Sequence, residues 1–589
     1  MAEHAHPHEP VPHEPVAASG PPDAGTAHPR QGAEAWLRAL PAGEWAIPAS
    51  LFGFGLALRL PYLWTIPTLT DEANEVLRGL DVAQGRLLPL TNVNTYLGSF
   101  YNYLLAAVFL VVGADPFAAR MLMALAGALT VVVTYLLIRE LGSARPIAVV
   151  GAGLLATSGA HIMVTSHIAW AHCLTPLAAT AGLWVLARAL HRDRSRLLVA
   201  AGLLLGLAVQ THTSAVALLP GPALYVLARR PGWLRTPWPY LAGTVLLLVN
   251  ANLIAFAIMT RGESFAEAGE HVRSYARSGA TGTDLYVENL GKLGLTLSRM
   301  AAGAIDVRES PASYAGDPTI WIAVALLVVG LVWGALRGSA LPLLVFVPYV
   351  LLLPLVNSKF EVVPNGRFLA PLLPVVYAAI AIGLGAVYAF VRSRWRIARR
   401  PLAVAVIAGL AVAWPLVPLA VRYGQMADSQ RASHELRDAL GVIEARRAPD
   451  EAVALDPDLD KLWLDGGGDY LVAFRYSLTL RSIPNRELEI RRRAEQGNVD
   501  SCDPSRVELR RVEPQRTPAA TRLHADDPAT PEDESLRPYW LIRTTQRSDR
   551  ARDAQRGQAD EWSAVIATYT PPVYGASRAV DRCTPRRPI

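Results

Sequence analysis

Two adjacent carboxylates, Asp71 and Glu72, follow the first long apolar stretch of the sequence. They lie in PTLTDEANEVLRG, where Thr68 or Thr70 can cap a helix and acids in the first turn are favoured by the helix dipole. That role explains the pair without any chemistry. A carboxylate beside a membrane is also well placed to take a proton from a hydroxyl group of a lipid-borne substrate. Asp71 and Glu72 are therefore predicted catalytic residues.

Histidines form a second set of candidates. His161, His167 and His172 occur in one short stretch, SGAHIMVTSHIAWAHCLTP, between two apolar segments. Single histidines in such places usually pack or lie at an interface, but three together also suit acid–base chemistry or a divalent metal. His212, at the tip of the apolar hairpin VQTHTSAVALLP, is either a polar turn residue or a contact for a phosphate group.

Arg367 begins the apolar stretch NGRFLAPLLPVVYAAIAIGL, and Lys359 lies shortly before it. A guanidinium binds phosphate through two parallel hydrogen bonds. Arg367 is therefore a candidate for binding an anionic partner.

The composition indicates a polytopic membrane protein with soluble parts. The 589 residues are 52% hydrophobic and 18% charged, with a mean hydropathy of +0.24. The net charge of +6 comes from arginines that flank apolar segments, so the positive-inside rule explains it and no nucleic-acid partner is predicted. Three cysteines are too few for a disulfide framework or a zinc motif. Cys173 is expected in the core, and Cys502 and Cys583 could pair in an oxidising compartment.

Apolar stretches near the bilayer-spanning length of about 20 residues recur through the first two thirds of the chain and predict about eleven transmembrane helices. They are residues 46–62, 117–138, 146–160, 173–190, 197–209, 214–228, 239–259, 319–336, 341–356, 368–391 and 402–421. Residues 1–44, rich in His and Pro, are predicted to be a disordered cytoplasmic tail without a cleavable signal peptide. Residues 45–422 form the transmembrane domain, and residues 423–589 a soluble one.

Basic loops set the orientation. If residues 96–113 lie at the membrane interface, with Tyr96, Tyr101 and Tyr103 at the surface, every arginine-rich loop falls in the cytoplasm. The amino terminus is then cytoplasmic. Loops 67–115 and 260–318 and the carboxyl-terminal domain are extracytoplasmic. Arg367 then lies at the outer end of a helix, against the usual charge trend.

The carboxyl-terminal region is predicted to be α/β. RASHELRDALGVIEARRAPDEAVALD suggests a helix followed by a strand, and YLVAFRYSL, YWLIRTT and WSAVIATY suggest strands. The GGGD cluster at Gly466 is predicted to be a turn rather than a phosphate-binding loop.

Several segments, in this order, resemble the polyprenyl-phosphate-dependent GT-C glycosyltransferases. They are the DE pair after the first span, the stretch from Tyr96, FAARMLMALAGALTVVVTYLLIREL, GLLLGLAVQTHTSAVALLP and GRFLAPLLP. The likeness covers roughly residues 46–421. The chain resembles the branch that contains the protein O-mannosyltransferases and the lipid A aminoarabinose transferases, and it is similar to glycosyltransferase family 39.

The resemblance implies an inverting transferase of the cell membrane, with a polyprenyl-phosphate-sugar donor and a hydroxyl-bearing acceptor on the non-cytoplasmic face. By position, Asp71 would deprotonate the acceptor and Glu72 would orient it or the sugar. Arg367 and Lys359 would hold the donor phosphate. The chain has His172 where relatives often have an acid, which puts a metal requirement in doubt, and His212 where they often have lysine.

Two rival functions stay open. Many spans would also serve a lipid or polysaccharide transporter, and an external domain could bind glycan without catalysis. The predicted spans contain no file of ionisable residues and no broken helix pair, which disfavours a transport path.

Overall fold

The computed structural model describes residues 45–63, 70–274, 282–303, 318–358, 360, 363–394, 401–449, 451–455, 459, 463–464, 468–490, 507–512, 521–523 and 539–544. The chain divides into two units, residues 1–47 and residues 48–589. Lys359, Cys502, Cys583, the strand predicted from WSAVIATY and the tail 1–44 lie outside the described residues.

The helices, in chain order, are α1 Ala46–Ala57, α2 Thr70–Ala83, α3 Phe100–Val112, α4 Pro116–Glu140, α5 Arg145–Thr157, α6 Gly159–Ser166, α7 Thr175–His191, α8 Leu197–Thr211, α9 Pro220–Arg229, α10 Trp238–Val249, α11 Ala251–Met259, α12 Glu263–Ser274, α13 Gly282–Ala301, α14 Pro318–Leu336, α15 Leu341–Val356, α16 Leu373–Arg394, α17 Pro401–Ala413, α18 Leu416–Arg446 and α19 Tyr470–Leu480. Short 3-10 helices occupy Ala171–Leu174, Thr213–Leu218, Pro231–Arg235, Val363–Phe368 and Ala370–Leu372. The strands are β1 Ala452–Leu455, β2 Trp463–Leu464, β3 Gly468–Asp469, β4 Asn485–Ile490, β5 Val507–Val512, β6 Thr521–Leu523 and β7 Tyr539–Thr544.

The helical part is that of a multi-pass membrane protein. Among the described residues, five helical runs are long and apolar enough to cross a bilayer, or up to seven if each of two bent pairs is one span. The five runs are Pro116–Glu140, Ala171–His191, Pro318–Leu336, Gly366–Arg394 and Ala405–Gly424. All eleven predicted stretches contain helix, but four hold helices shorter than a full span. The number of crossings therefore stays a prediction.

Two helix pairs are bent, so the prediction that the spans contain no broken helix pair was wrong. The axes of α5 and α6 differ by 61°, and those of α10 and α11 by 58°. The Ser158 hydroxyl accepts a hydrogen bond from the His161 amide (3.4 Å) at the first bend. At the second, the Asn250 side chain donates to the carbonyl oxygens of Gly206 (3.1 Å) and Leu246 (2.9 Å). Such polar side chains satisfy backbone groups that a break leaves free at membrane depth.

Small residues allow α14 and α16 to pack closely. A Cβ atom on Gly330 would overlap the carbonyl oxygen of Ala379, and one on Gly383 would overlap that of Leu326. Van der Waals packing between small residues is a main source of helix association in a membrane, where apolar side chains gain little by leaving lipid. The two glycines therefore set the separation of the helix that follows Arg367 from its neighbour.

Helices α2 and α3 pack against α4 and the segment around Trp170. Their shared core includes Val76, Tyr101, Met123 and Trp170. The stretch predicted at the membrane interface forms helix only from Phe100, and Tyr101 is fully buried, contrary to the prediction. Burial of an apolar stripe on α2 and α3 gives the acidic start of α2 a fixed place on the helical domain.

The carboxyl-terminal region contains a mixed five-stranded sheet in the order β5-β7-β1-β4-β6. Strand β1 is parallel to β4 and β7, while β5 and β6 run antiparallel to their neighbours. The end of α18 packs its Leu440 and Ile443 against Val453 of β1. The prediction of a helix followed by a strand in this part of the tail is thus confirmed.

YLVAFRYSL forms helix α19 and not the predicted strand. Phe474 and Leu478, four residues apart, belong to the core beside β1, whereas Tyr476 and Leu480 belong to the core around α2 and α3. Apolar residues on two faces of a helix weaken the helical period and favoured the strand interpretation. Through α19 the carboxyl-terminal region contacts α2, the helix that carries Asp71.

Candidate active site

An ion pair joins Asp71, in the first turn of α2, to Arg367, in the 3-10 helix before α16. Nη1 of Arg367 donates to Oδ2 of Asp71 at 3.2 Å. The Asp71 side chain is 49% exposed, whereas that of Arg367 is 9% exposed. The pair therefore presents a carboxylate to solvent and backs it with a nearly covered cation.

The aromatic rings of Trp170 and Phe368 contact the Arg367 guanidinium. Its carbon lies 4.3 Å from the ring centroid of Trp170 and 4.9 Å from that of Phe368. These distances are within the range of cation–π attraction. The Nε atom of Arg367 is buried and has no hydrogen-bond partner among the described residues. A guanidinium held between aromatic contacts with an unused donor is suited to bind an anion.

His172 and His212 come together beside this cation. Their ring centroids are 3.7 Å apart, and both rings contact Phe368 at 5.5 and 5.2 Å. Nδ1 of His212 is bonded to the Ser214 hydroxyl at 2.5 Å. Both ring nitrogens of His172 are buried without a hydrogen-bond partner in the described part of the chain. The two imidazoles and the Arg367 guanidinium therefore all contact the same ring, that of Phe368.

The other two histidines of that stretch lie elsewhere. Nδ1 of His161 is 2.6 Å from Nη2 of Arg59, and His167 bonds the Ser166 hydroxyl (2.9 Å) and the Pro61 carbonyl oxygen (2.8 Å). Of the three histidines, only His172 contacts the residues around Arg367. Within the described ranges no three His, Cys, Asp or Glu side chains are grouped to hold a metal ion.

Glu72 is paired with Arg120 of α4. Both carboxylate oxygens accept from the guanidinium at 2.9 Å, and the two side chains are 0% and 1% exposed. Arg120 also donates to the Leu63 carbonyl oxygen at 3.2 Å. A buried bidentate pair compensates the loss of solvation of both charges. It fixes the start of α2 to the end of the first apolar segment and to α4.

Glu75 lies one turn after Asp71 and is 4% exposed. Its Oε2 accepts from the backbone amide of Ala171 at 2.8 Å. Burial raises the pKa of Glu75 from 4.5 to about 7; the hydrogen bond from the Ala171 amide lowers it, the charge of Asp71 raises it, and that of Arg367 lowers it. Glu75 is therefore a third carboxyl group near the ion pair, and it titrates near neutral pH.

Sequence reasoning missed Glu75, Arg120 and Trp170 as residues of this site. The four-residue spacing between Asp71 and Glu75 places both on one helix face and could have indicated Glu75. Arg120 and Trp170 carry no local signal, because their roles depend on contacts with residues 48 and 197 positions away.

The site thus combines an exposed carboxylate, a guanidinium with an unused donor and two adjacent imidazoles. Such a set can remove a proton from a hydroxyl group and stabilise negative charge that develops on a neighbouring phosphate.

Comparisons with known proteins agree with the resemblance seen in the sequence motifs. Residues 99–255, about a quarter of the chain, match the family model for dolichyl-phosphate-mannose-protein mannosyltransferase. The matched range contains Arg120, Trp170, His172 and His212, while Asp71 and Arg367 lie outside it. No curated protein sequence matches the chain.

Similar solved structures include an ArnT and an archaeal oligosaccharyltransferase. ArnT from Cupriavidus metallidurans bound to undecaprenyl phosphate is 16% identical, with a TM-score of 0.46, over 76% of this chain and 90% of that one. The Archaeoglobus fulgidus oligosaccharyltransferase tethered with an acceptor peptide is 15% identical, with a TM-score of 0.42, over 75% of this chain. The chain covers 64% of that archaeal protein, less than two thirds of its length. The predicted similarity to polyprenyl-phosphate-dependent GT-C glycosyltransferases is confirmed by the family model over residues 99–255.

Proposed function

We propose that this chain is an integral membrane glycosyltransferase that moves a sugar from a polyprenyl-phosphate donor to a hydroxyl group of an acceptor, with inversion at the anomeric carbon. The observation that carries the proposal is the Asp71–Arg367 pair, a half-exposed carboxylate 3.2 Å from a covered guanidinium. The family-model match of residues 99–255 supports the donor class. The two charges supply the two functions that the reaction requires, a base and a phosphate-binding cation.

In the proposed reaction Asp71 removes the proton from the acceptor hydroxyl as its oxygen attacks the anomeric carbon. The bond between that carbon and the phosphate oxygen breaks, and its electron pair leaves on polyprenyl phosphate. Attack from the face opposite the phosphate gives inversion, and the proton ends on Asp71. Arg367 stabilises the charge that accumulates on the departing phosphate.

The ion pair must open for this reaction. Asp71 occupies one donor of Arg367. A donor phosphate competes for the guanidinium and offers a second oxygen to the unpartnered Nε. Its binding therefore releases the Asp71 carboxylate for the acceptor hydroxyl. Donor binding and activation of the base are coupled through one side chain.

The neighbouring residues are assigned supporting roles. Glu72 acts through Arg120, because both its oxygens are bound and covered, and holds Asp71 in place. His172 and His212, stacked next to Phe368, are proposed to contact the donor phosphate or sugar. Lys359 is proposed as a further phosphate contact. The loops 67–115 and 260–318 and residues 423–589 are assigned to the extracytoplasmic side, and residues 1–44 to the cytoplasm.

The test uses purified protein in detergent with synthetic polyprenyl-phosphate hexoses and pentoses and a panel of hydroxyl acceptors. Release of polyprenyl phosphate is followed by chromatography and the anomeric configuration of the product by NMR. The proposal predicts release with at least one donor and an inverted product. Retention of configuration would contradict the mechanism. Failure of every donor, together with lipid movement between leaflets in protein-containing vesicles, would instead favour the transporter.

A further inference from the structure

Glu75 has no part in the reaction as written, yet it is buried directly behind the ion pair. Asp71 and Glu75 are four residues apart on α2 and project from one face of that helix. Burying a carboxyl group is costly unless hydrogen bonds compensate it. Glu75 has such a bond at 2.8 Å, from the amide of Ala171.

This bond connects α2 to the platform under Arg367. Ala171 follows Trp170, whose ring lies 4.3 Å below the Arg367 guanidinium. Arg367 in turn bonds Asp71 on α2. The contacts therefore close a ring that starts and ends on one turn of α2. Loss of Glu75 would remove the hydrogen bond between the Trp170 segment and that helix and leave only their apolar packing.

The charge of Glu75 also bears on Arg367. With Asp71 ionised, the pair is neutral overall, and an ionised Glu75 makes the site negative. Several ionisable groups interact electrostatically with Glu75. They come from α2, the loop and helix after it, the Ala171 segment and the 3-10 helix before α16. They are Asp71, Tyr96, Tyr101, Cys173 and Arg367.

We propose that Glu75 is a positioning residue that fixes Trp170 beneath Arg367 and sets the net charge that the donor phosphate meets. The second half of this inference rests on the proposed function, while the first half does not. Glu75 has a pKa of about 7, so it is mostly neutral at pH 6 and mostly ionised at pH 8. An ionised Glu75 repels phosphate, and donor binding should weaken as the pH rises through that interval.

The anchor is tested by hydrogen–deuterium exchange on the full-length protein in detergent, without ligand. In Glu75→Ala, peptides covering residues 168–174 should exchange about tenfold faster, because the hydrogen bond from the Ala171 amide to the Glu75 carboxyl group is lost. In Glu75→Gln, which keeps an acceptor oxygen, protection should stay near that of the wild type. Asp81→Asn is the matched control on the same helix, since Asp81 forms an exposed pair with Arg86. Unchanged exchange in Glu75→Ala would overturn the anchor, and so would equal loss of protection in Glu75→Gln.

The charge effect is tested by titrating undecaprenyl phosphate into the wild type and Glu75→Gln at pH 6 and pH 8. If binding changes the pKa of Glu75 by about one unit, the affinity of the wild type for undecaprenyl phosphate should fall by up to about tenfold from pH 6 to pH 8, compared with the affinity of Glu75→Gln. The variant corrects for titration of the phosphate itself. Parallel pH dependence in both proteins would overturn the charge role. If neither protein binds undecaprenyl phosphate at either pH, the charge role is overturned and the donor class is contradicted. The exchange experiment then decides the anchor role by itself.

Discussion

Arg367 and Asp71 form an ion pair at 3.2 Å although 296 residues separate them in the chain. The carboxylate belongs to an amphipathic helix after the first apolar segment, and the guanidinium to the turn that leads into α16. Each partner alone would be an ordinary charged residue near a helix end. Together they form a site that exists only when these two elements are assembled.

Replacing Arg367 should impair donor binding more than folding. Arg367→Lys keeps the charge but loses the two-pronged donor and the stacking on Trp170, so the KM for the polyprenyl-phosphate donor should rise by about 10- to 100-fold. Arg367→Ala should bind the donor more weakly still. Initial rates of polyprenyl phosphate release measure both effects. Arg86→Lys, in an exposed pair, is the control, and an Arg367→Lys enzyme with wild-type KM would refute the phosphate-binding role.

The Glu72–Arg120 pair should be important for stability. Arg120→Met leaves a buried carboxylate without its partner and should destabilise the protein by about 3–5 kcal/mol. The double variant Glu72→Leu/Arg120→Met removes both charges and should recover much of that loss. Unfolding in increasing denaturant, followed by tryptophan fluorescence, compares the three proteins. A single variant as stable as the wild type would mean that Glu72 is not held by Arg120.

Hydropathy predicted much of the helical architecture, because a lipid-facing helix must be apolar along its whole length. It did not predict the bends at Ser158 and Asn250, since one polar residue barely changes the mean hydropathy of a span. The α19 segment was mistaken for a strand because it packs on two faces. Residue type and order were sufficient to propose Asp71 and Arg367 as site residues, but Arg120 and Trp170 could not be found without the long-range contacts.

Glu75 should make stability depend on pH. Its pKa is about 7 in the folded protein against an ordinary value of 4.5. Between these values the unfolded chain loses the proton while the folded one keeps it, so stability present below pH 4.5 is lost progressively as the pH rises to about 7. The loss amounts to about 3 kcal/mol. Glu75→Gln should therefore match the wild type near pH 4.5 and have the higher Tm at pH 8. Equal Tm differences at both pH values would contradict the raised pKa.

Gly330 should tolerate no side chain. A Cβ atom there would overlap the Ala379 carbonyl oxygen and push α14 away from α16. Gly330→Ala should lower the Tm and the yield of folded protein, with a cost of about 1–3 kcal/mol typical of overpacking. Gly243→Ala is the matched control, because that glycine also lies in a membrane helix and nothing lies within 4 Å of its Cβ position. The packing model fails if the two variants behave alike.

The central claim is that Asp71 acts as the base while Arg367 binds the phosphate, and Asp71→Asn separates the two roles most directly. The variant keeps the shape of the side chain but cannot accept the proton, so kcat for polyprenyl phosphate release should fall by about 10²- to 10⁴-fold. Because Asp71 also competes for the guanidinium, undecaprenyl phosphate should bind the variant at least as tightly as it binds the wild type. The decisive measurement is therefore kcat and phosphate-lipid affinity on the same Asp71→Asn preparation. Lost turnover with retained or tighter binding is the predicted result, and a variant that turns over at the wild-type rate would contradict the mechanism.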